Sequence, residues 1–89
     1  MRTLLSTGRF RKDFKRMEKR GVDSGLLEAV LEKLSNGEEL EAVYKDHLLQ
    51  GSIDPERECH ITPDWLLIYV IEGDKVRLVR TGTHSDLFK

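Results

Sequence analysis

Apolar residues recur every three or four positions in the first third of the chain, and this spacing predicts two amphipathic helices. The first helix is capped by Thr7 and ends at Gly21, and the second is capped by Asp23 and ends at Asn36-Gly37. Their apolar stripes are Phe10, Phe14 and Met17 in the first helix and Leu26, Leu27, Val30, Leu31 and Leu34 in the second. We expect both stripes to lie in the protein core.

Shorter apolar segments in the rest of the chain predict β-strands. The predicted strands are residues 2–6, 58–62, 65–71 and 75–80. Segment 65–71 is apolar on both faces, which is typical of a central strand, and we expect its first residue, Trp65, in the core. The element order β-α-α-β-β-β predicts an α+β fold in which a helical hairpin packs on one face of a small, mainly antiparallel sheet.

The remaining segments are predicted to be turns and loops. Pro63-Asp64 and Gly73-Asp74 are tight turns between neighbouring strands. Residues 38–57 show no regular period, so we expect a long loop anchored by Val43-Tyr44. Residues 81–89 close the chain after the last strand.

The composition is that of a small globular protein. The chain has 89 residues, of which 38% are hydrophobic and 35% charged, and we expect a single domain over residues 1–89. Its longest apolar run, residues 65–71, is far shorter than the roughly 20 residues that cross a bilayer. Charges follow Met1 closely, so we expect no signal peptide. The single cysteine, Cys59, excludes an internal disulfide and fits a reducing cytoplasm.

The net charge of −1 conceals an uneven distribution of charge along the chain. Residues 1–20 hold eight basic and two acidic side chains, whereas residues 21–46 hold two basic and seven acidic ones. The basic first helix is either a surface for a phosphate backbone or a solvated helix face without a partner. The sequence leaves both interpretations open.

The second half of the chain carries the residues best suited to proton transfer near neutral pH. In the strand 58–62, Cys59 and Ile61 point to one face and His60 to the other. If the last two strands pair, Asp64 and Arg80 lie at the same edge of the sheet. We therefore expect one shallow site on the face away from the helices, formed by His60, Asp64, Arg80 and His84.

Three motifs occur in order along the second half. They are Val43-Tyr44-Lys45-Asp46-His47-x-Leu49-Gln50-Gly51-Ser52, Arg57-x-x-His60-x-x-Pro63-Asp64-Trp65-x-Leu67-Ile68-Tyr69 and Arg80-Thr81-Gly82-Thr83-His84-x-x-Leu87-Phe88. This pattern resembles the YafQ branch of the RelE/ParE toxin superfamily. The resemblance implies a RelE-like fold and a cytoplasmic ribonuclease that enters the ribosomal A site and cuts mRNA without a cofactor. It also implies a monomeric toxin held inactive in a complex with a co-encoded antitoxin of the RelB/DinJ type.

The resemblance also implies roles for particular residues. The implied catalytic residues are His60, Asp64, Arg80 and His84, and the implied substrate-binding residues are His47, Phe88, Lys45 and Arg57. Cleaving RNA without a metal requires a base for the ribose 2′-OH, a cation for the phosphate and an acid for the departing 5′ oxygen. We assign the phosphate to Arg80 and the acid role to His84. Either His60 or Asp64 is the base.

Three other function classes compete with this hypothesis. A ParE-like toxin that poisons gyrase and cuts nothing has no need of the histidines. A degenerate toxin that serves as a corepressor with its antitoxin fits the acidic segment around Asp54 and Glu56. A zinc enzyme would draw on Cys59, His60, Asp64 and His84. We disfavour zinc, because adjacent strand residues point to opposite faces and no zinc-binding spacing occurs.

Overall fold

The fold is known from a computed structural model that describes residues 1–51 and 53–88. Ser52 of the first motif and Lys89 of the terminal segment lie outside the described residues. The elements are β1 (Thr3–Ser6), α1 (Gly8–Lys19), α2 (Ser24–Ser35), one 3-10 turn (Ala42–Tyr44), β2 (His47–Leu48), β3 (Arg57–Thr62), β4 (Trp65–Glu72), β5 (Lys75–Gly82) and α3 (His84–Leu87). Among the described residues, no helix has the length and apolar character to cross a membrane.

The strands form one sheet in the order β1-β5-β4-β3-β2. β1 runs parallel to β5, and every other neighbouring pair is antiparallel. β4 is therefore the central strand, as its continuous apolar sequence predicted. The predicted α+β class and the mainly antiparallel sheet are confirmed.

Both long helices begin at the predicted caps. The Thr7 hydroxyl accepts a hydrogen bond of 3.0 Å from the Phe10 N–H, and the Asp23 carboxylate accepts one of 2.9 Å from the Gly25 N–H. Gly37 follows α2 with a φ of 75°, a left-handed conformation that glycine adopts without strain. Local sequence thus determines where these helices start and stop.

The apolar sides of both helices pack on one face of the sheet, which we call the core face. The core residues are Phe10, Met17, Leu27, Val30 and Leu34 from the helices and Cys59, Ile61, Trp65, Leu67, Tyr69, Val76 and Leu78 from the sheet. Trp65 is 2% exposed and donates its indole N–H to the Thr81 hydroxyl at 2.8 Å. The prediction that Trp65 is a core residue is confirmed.

A bulge in β5 decides which way its last residues point. Leu78 pairs with Tyr69 and Arg80 pairs with Ile68, although Tyr69 and Ile68 are consecutive, so Val79 is an extra residue. Because side chains alternate along a strand, this insertion moves Arg80 off the core face that Leu78 occupies. By this register the position of Arg80 belongs to the opposite face, which we call the far face, although its guanidinium reaches Asp13 of α1.

Several sequence predictions were incomplete or wrong. The structure adds β2 and α3 to the predicted order, and β5 continues to Gly82 instead of ending at Arg80. Two residues cannot display a period of two, and a four-residue helix cannot display a period of 3.6, so neither short element leaves a pattern.

Two predicted core positions were also wrong. Leu26 is 43% exposed and Val43 is 74% exposed, and only Tyr44 of the predicted anchor packs against the core. Leu26 precedes the buried Leu27 and Val43 precedes the half-buried Tyr44, so hydrophobicity alone did not distinguish the exposed residues.

Candidate active site

The sheet register brings polar residues of three strands into one row across the far face. His47 of β2 pairs with Glu58 of β3, Glu58 pairs with Ile68 of β4, and Ile68 pairs with Arg80 of β5. Cross-strand partners lie on the same face of a sheet. His60 lies two residues after Glu58 and thus on the same face. The predicted orientation of His60 away from the core is confirmed.

Glu58 lies between two histidines. Its Oε1 is 3.5 Å from His47 Nε2 and 3.6 Å from His60 Nε2. Its side chain is only 5% exposed, whereas that of His60 is 18% and that of His47 is 50% exposed. These distances exceed those of good hydrogen bonds, but they allow a carboxylate to stabilise a protonated imidazole after a small movement.

The orientation of His47 is fixed by the loop before β2. Its Nδ1 lies 2.8 Å from the carbonyl oxygen of Lys45. A carbonyl can only accept a hydrogen bond, so we assign the proton to Nδ1, and Nε2 faces Glu58. Lys45 has a φ of 50°, a left-handed conformation uncommon for a residue with a Cβ. The strained residue turns the chain into β2.

The short helix α3 brings the third histidine to this cluster. The rings of His84 and His60 have centroids 6.3 Å apart, and those of His84 and Phe88 are 5.4 Å apart. His84 is exposed, and Phe88 is 47% exposed. The structure therefore brings together the predicted acid, one of the two predicted bases and a ring that offers a stacking surface.

Asp86 holds α3 in place. Thr83 and Asp86 form a reciprocal capping box, and Arg20 of α1 donates two hydrogen bonds of 2.7 and 3.1 Å to the Asp86 carboxylate. These bonds from Arg20 and the Thr83 N–H hold the pKa of Asp86 well below its usual range. A Cβ at Gly82 would lie 3.0 Å from the Asp86 side chain. The position of His84 thus depends on Arg20, Gly82 and Asp86.

Arg80 is bound to helix α1. Its Nε and Nη2 donate hydrogen bonds of 3.0 and 3.1 Å to the Asp13 carboxylate, which raises the pKa of Arg80. An open cavity of about 520 Å³ adjoins this pair and is lined by Gly8, Arg9, Lys12, Asp13, Arg16 and Arg80. The expectation that the whole site lies away from the helices is therefore wrong for Arg80, whose guanidinium lies against α1.

Two predicted site residues are not in this cluster. Asp64 lies in the exposed turn between β3 and β4, and its charge contributes, after the Asp86 hydrogen bond, to the raised pKa of Arg20. Arg57 precedes Glu58 in β3 and thus points to the core face. There it donates to Asp46, which also accepts a hydrogen bond of 2.5 Å from the Tyr69 hydroxyl.

Two cavities adjoin the loop that carries Lys45. One of about 400 Å³ is lined by Val43, Tyr44, Lys45, His60, Ile61, Thr62 and Pro63. It places predicted substrate-binding Lys45 beside His60. The other, of about 420 Å³, has Lys45, Asp46, Arg57 and Tyr69 among its lining residues.

The acidic segment around Asp54 has a basic partner. Asp54 Oδ2 lies 3.4 Å from Arg77 Nη2, so the negative charge of Asp54 is partly compensated.

Sequence reasoning missed three residues of the site: Glu58, Asp13 and Asp86. The spacing of Glu58 and His60 was a sufficient signal, because residues two apart on a strand share a face. Asp13 belongs to the i, i+3, i+4, i+7 face that contains Phe10 and Met17, where a carboxylate is out of place. For Asp86, the capping-box spacing from Thr83 was visible in the sequence.

The residues described in the structure, 1–51 and 53–88, contain no group of three or more His, Cys, Asp or Glu side chains arranged to hold a metal ion. Cys59 is buried on the core face, where burial raises its pKa to about 12. Its thiol therefore remains protonated at neutral pH, and it points away from the histidines.

Comparisons with known proteins identify close relatives. The family model "Bacterial toxin of type II toxin-antitoxin system, YafQ" matches residues 2–89. The mRNA interferase toxin YafQ of Escherichia coli K12 is 43% identical over 88 residues, which is 98% of this chain and 96% of that protein.

Solved structures share the fold. A toxin in the crystal structure of the E. coli DinJ-YafQ complex matches with a TM-score of 0.92 and 42% identity over 100% of both chains. A metal-bound toxin from Helicobacter pylori matches with a TM-score of 0.93 and 42% identity over 99% of this chain and 100% of that one.

Proposed function

The chain belongs to the YafQ family of toxins from type II toxin-antitoxin systems, and on that premise we propose that it is an mRNA interferase. It cuts mRNA in the ribosomal A site by acid-base catalysis through the ribose 2′-OH. The observation that carries this proposal is the pair of imidazoles His60 and His84, with ring centroids 6.3 Å apart, on a surface open to a substrate. Two imidazoles at this separation can act on opposite sides of one scissile phosphate.

The reaction assigns one task to each group. His60 accepts the proton of the 2′-OH, and the 2′ oxygen forms a bond to phosphorus. The bond from phosphorus to the 5′ oxygen breaks, and His84 donates a proton to that oxygen. The products are a 2′,3′-cyclic phosphate and a 5′-hydroxyl. Arg80 compensates the extra negative charge on the phosphate as it develops.

We assign the base role to His60 rather than to Asp64. His60 lies beside Glu58 Oε1, which stabilises the imidazolium that forms when the 2′ proton is transferred. Asp64 lies in a turn, with Arg20 as its electrostatic partner. We assign Asp64 to positioning the substrate or the C-terminal helix.

The substrate-binding roles follow from exposure. His47 is exposed and shares Glu58 with His60, and Phe88 is exposed beside His84 and offers its ring to a base. Lys45 lines the cavity beside His60 and can contact a phosphate. Arg57 is bound to Asp46 on the core face, so it contributes to RNA binding only indirectly, by fixing the loop that carries Lys45 and His47.

Two partners follow from the family. We infer an antitoxin of the DinJ type, because the E. coli relative forms a complex with DinJ, and its acidic or apolar segments would cover the basic helix α1. We infer the ribosome as the second partner. Arg9, Lys12 and Arg16 give α1 a cationic surface for RNA phosphates. A ribosomal target places the protein in the cytoplasm.

We assign no step to a metal ion. The H. pylori relative is a metal-bound toxin, but the described residues of this chain hold no group of three ligands. Each step of the reaction has a protein group in this chain. Activity is therefore expected to persist in the presence of a chelator at a concentration that leaves the ribosome intact.

The proposal is tested by cleavage of mRNA on purified ribosomes with a defined codon in the A site. Wild-type protein should cut there and not in a control without ribosomes. The His84→Ala variant should cut about 10²- to 10⁴-fold more slowly, the usual contribution of a general acid. Its melting temperature should stay the same, because His84 is exposed. Folded wild-type protein that cuts no codon tested would contradict the proposal and favour a gyrase-poisoning or degenerate toxin.

A further inference from the structure

We propose that Asp13 is a positioning residue that orients Arg80 for the scissile phosphate. This inference rests on the proposed function. Asp13 is a carboxylate on the core-facing side of α1, between Phe10 and Met17, and only 2% exposed. It has a role in the reaction although it lies on a helix that carries none of the predicted catalytic residues.

The contacts of Asp13 fix the guanidinium of Arg80 in one plane. Arg80 donates from Nε at 3.0 Å and from Nη2 at 3.1 Å, one to each carboxylate oxygen. The Thr81 N–H donates to the same carboxylate at 3.3 Å, so the backbone of β5 is bound next to the side chain. A two-point contact of this kind restrains rotation about the last bonds of an arginine.

The edge of the Arg80 guanidinium that faces Asp13 donates through Nε and through one hydrogen of Nη2. Nη1 and the outer hydrogen of Nη2 remain for another oxygen, on the edge of the guanidinium that points away from Asp13. Arg80 pairs with Ile68 in the row that contains Glu58, and its pKa is raised by Asp86 of α3 in addition to Asp13. The available edge is therefore within electrostatic reach of the helix that carries His84.

A contribution to stability alone does not account well for this pair. Buried ion pairs are often no more stabilising than apolar residues of the same volume. Position 13 lies on the face of α1 where Phe10 and Met17 pack in the core, so an apolar residue there would fit the pattern of the helix. The buried Thr81 N–H also needs an acceptor, but a neutral one would suffice, so the charge of the carboxylate is explained by Arg80.

The proposal predicts a separation of rate and binding. In Asp13→Asn, Arg80 keeps its charge but loses its charged partner. The maximal cleavage rate should fall by roughly 10- to 100-fold, as expected for a misplacement of about 1 Å. The toxin concentration that gives half-maximal rate should not rise, because the cavity lined by Arg9, Lys12 and Arg16 loses a negative charge. A structural defect alone would lower the folded fraction and leave the rate per folded molecule unchanged.

The experiment measures single-turnover cleavage on programmed ribosomes over a range of toxin concentrations. The variants are wild type, Asp13→Asn, Arg80→Ala, Asp13→Asn/Arg80→Ala and Glu18→Gln. Glu18→Gln is the matched control, because it removes an exposed acid from the same helix and should behave like wild type. If Asp13 acts through Arg80, the double variant should cut at the rate of Arg80→Ala.

The outcomes are distinguishable. Inactive wild type contradicts the proposed function itself. If wild type is active and Arg80→Ala is slow, a fully active Asp13→Asn variant overturns only the role of Asp13. The role is also overturned if Asp13→Asn lowers the cleavage rate by the same factor in the Arg80→Ala background as in wild type. If Asp13→Asn fails to fold by circular dichroism, Asp13→Glu takes its place. It keeps the charge and displaces the carboxylate by one methylene, and a wild-type rate in that variant would also overturn the role.

Discussion

Two carboxylates adjoin β3 on its two faces, and they differ in how completely they are bound. Asp46, on the core face, accepts a hydrogen bond of 2.5 Å from Tyr69 and bonds of 3.1 to 3.3 Å from Arg57. Glu58, on the far face, has two histidine nitrogens at 3.5 and 3.6 Å. We call these the Asp46 cluster and the Glu58 cluster.

The difference separates a structural network from a chemical one. In the Asp46 cluster, burial and the hydrogen bond to Asp46 raise the pKa of Tyr69. The phenol therefore stays protonated and remains a hydrogen-bond donor to Asp46. In the Glu58 cluster, the partners are imidazoles, side chains that can both accept and release a proton. Side chains whose hydrogen bonds are long or incomplete can exchange protons with a substrate. A network in which every hydrogen bond is short and made resists a change of protonation.

Of the variants that test the difference between the two clusters, the one that removes Asp46 should have the largest effect on stability. Asp46→Ala leaves the Arg57 guanidinium and the Tyr69 hydroxyl without their acceptor, which should cost about 2–3 kcal/mol of unfolding free energy. Denaturant unfolding measures the change. Glu39→Ala, an exposed acid at the same cavity, should change stability by less than about 0.5 kcal/mol.

The maximal cleavage rate per folded molecule should be nearly unchanged in Asp46→Ala, whereas the toxin concentration for half-maximal rate should rise, because the loop that carries Lys45 and His47 loses its contact with Arg57. A large loss of rate in protein shown to be folded would mean that the Asp46 cluster takes part in the chemistry.

A smaller effect is expected for Glu58→Gln, the corresponding change on the far face. The amide keeps the shape but cannot stabilise an imidazolium, and a loss of about 1.4 kcal/mol of that stabilisation in the transition state slows cleavage about 10-fold. The single-turnover rate on programmed ribosomes measures it. The melting temperature should change little, because no short hydrogen bond is lost. A stable and fully active variant would remove Glu58 from the mechanism.

The smallest effect concerns the contact that joins α3 to α1 and depends on pH. Arg20 holds the pKa of Asp86 low, so the stabilisation is fully present above the unfolded pKa of about 3.9 and is lost as pH falls through the lower folded value. Asp86→Asn should therefore be less stable than wild type by about 1 kcal/mol at pH 7. The difference should stay constant down to about pH 5 and shrink below about pH 4.

Thermal unfolding at several pH values provides the measurement, with Asp74→Asn, an exposed turn residue, as the control. A difference between wild type and Asp86→Asn that grows on acidification would mean that the pKa of Asp86 is raised rather than lowered.

Periodicity was sufficient for the elements long enough to show it. The caps at Thr7 and Asp23, the central position of β4 and the outward orientation of His60 followed from sequence alone. β2 and α3 did not, because each is formed by two to four residues whose conformation depends on a neighbour: β2 on pairing with β3, and α3 on Arg20. Short elements are determined by tertiary contacts rather than by local pattern.

Part of the arrangement of the candidate site was predictable from the sequence, whereas the roles of its residues stay predictions. His60, His84 and Phe88 lie together as expected. The partners of Arg80 and Asp86 were not foreseeable, because Asp13 is 67 positions from Arg80 and Arg20 is 66 positions from Asp86. Charges so far apart in the sequence meet only once α1 has packed against the end of β5.

The extra residue Val79 in β5 has a consequence for how this chain can vary in length. Deleting Val79 would leave Arg80 opposite Ile68, because Arg80 would then follow Leu78 directly, but it would remove the bulge and the extra bend and twist that a bulge gives a strand. Val79 is therefore a position within Lys75–Gly82 at which one residue can be lost without changing the β4 partners of its neighbours.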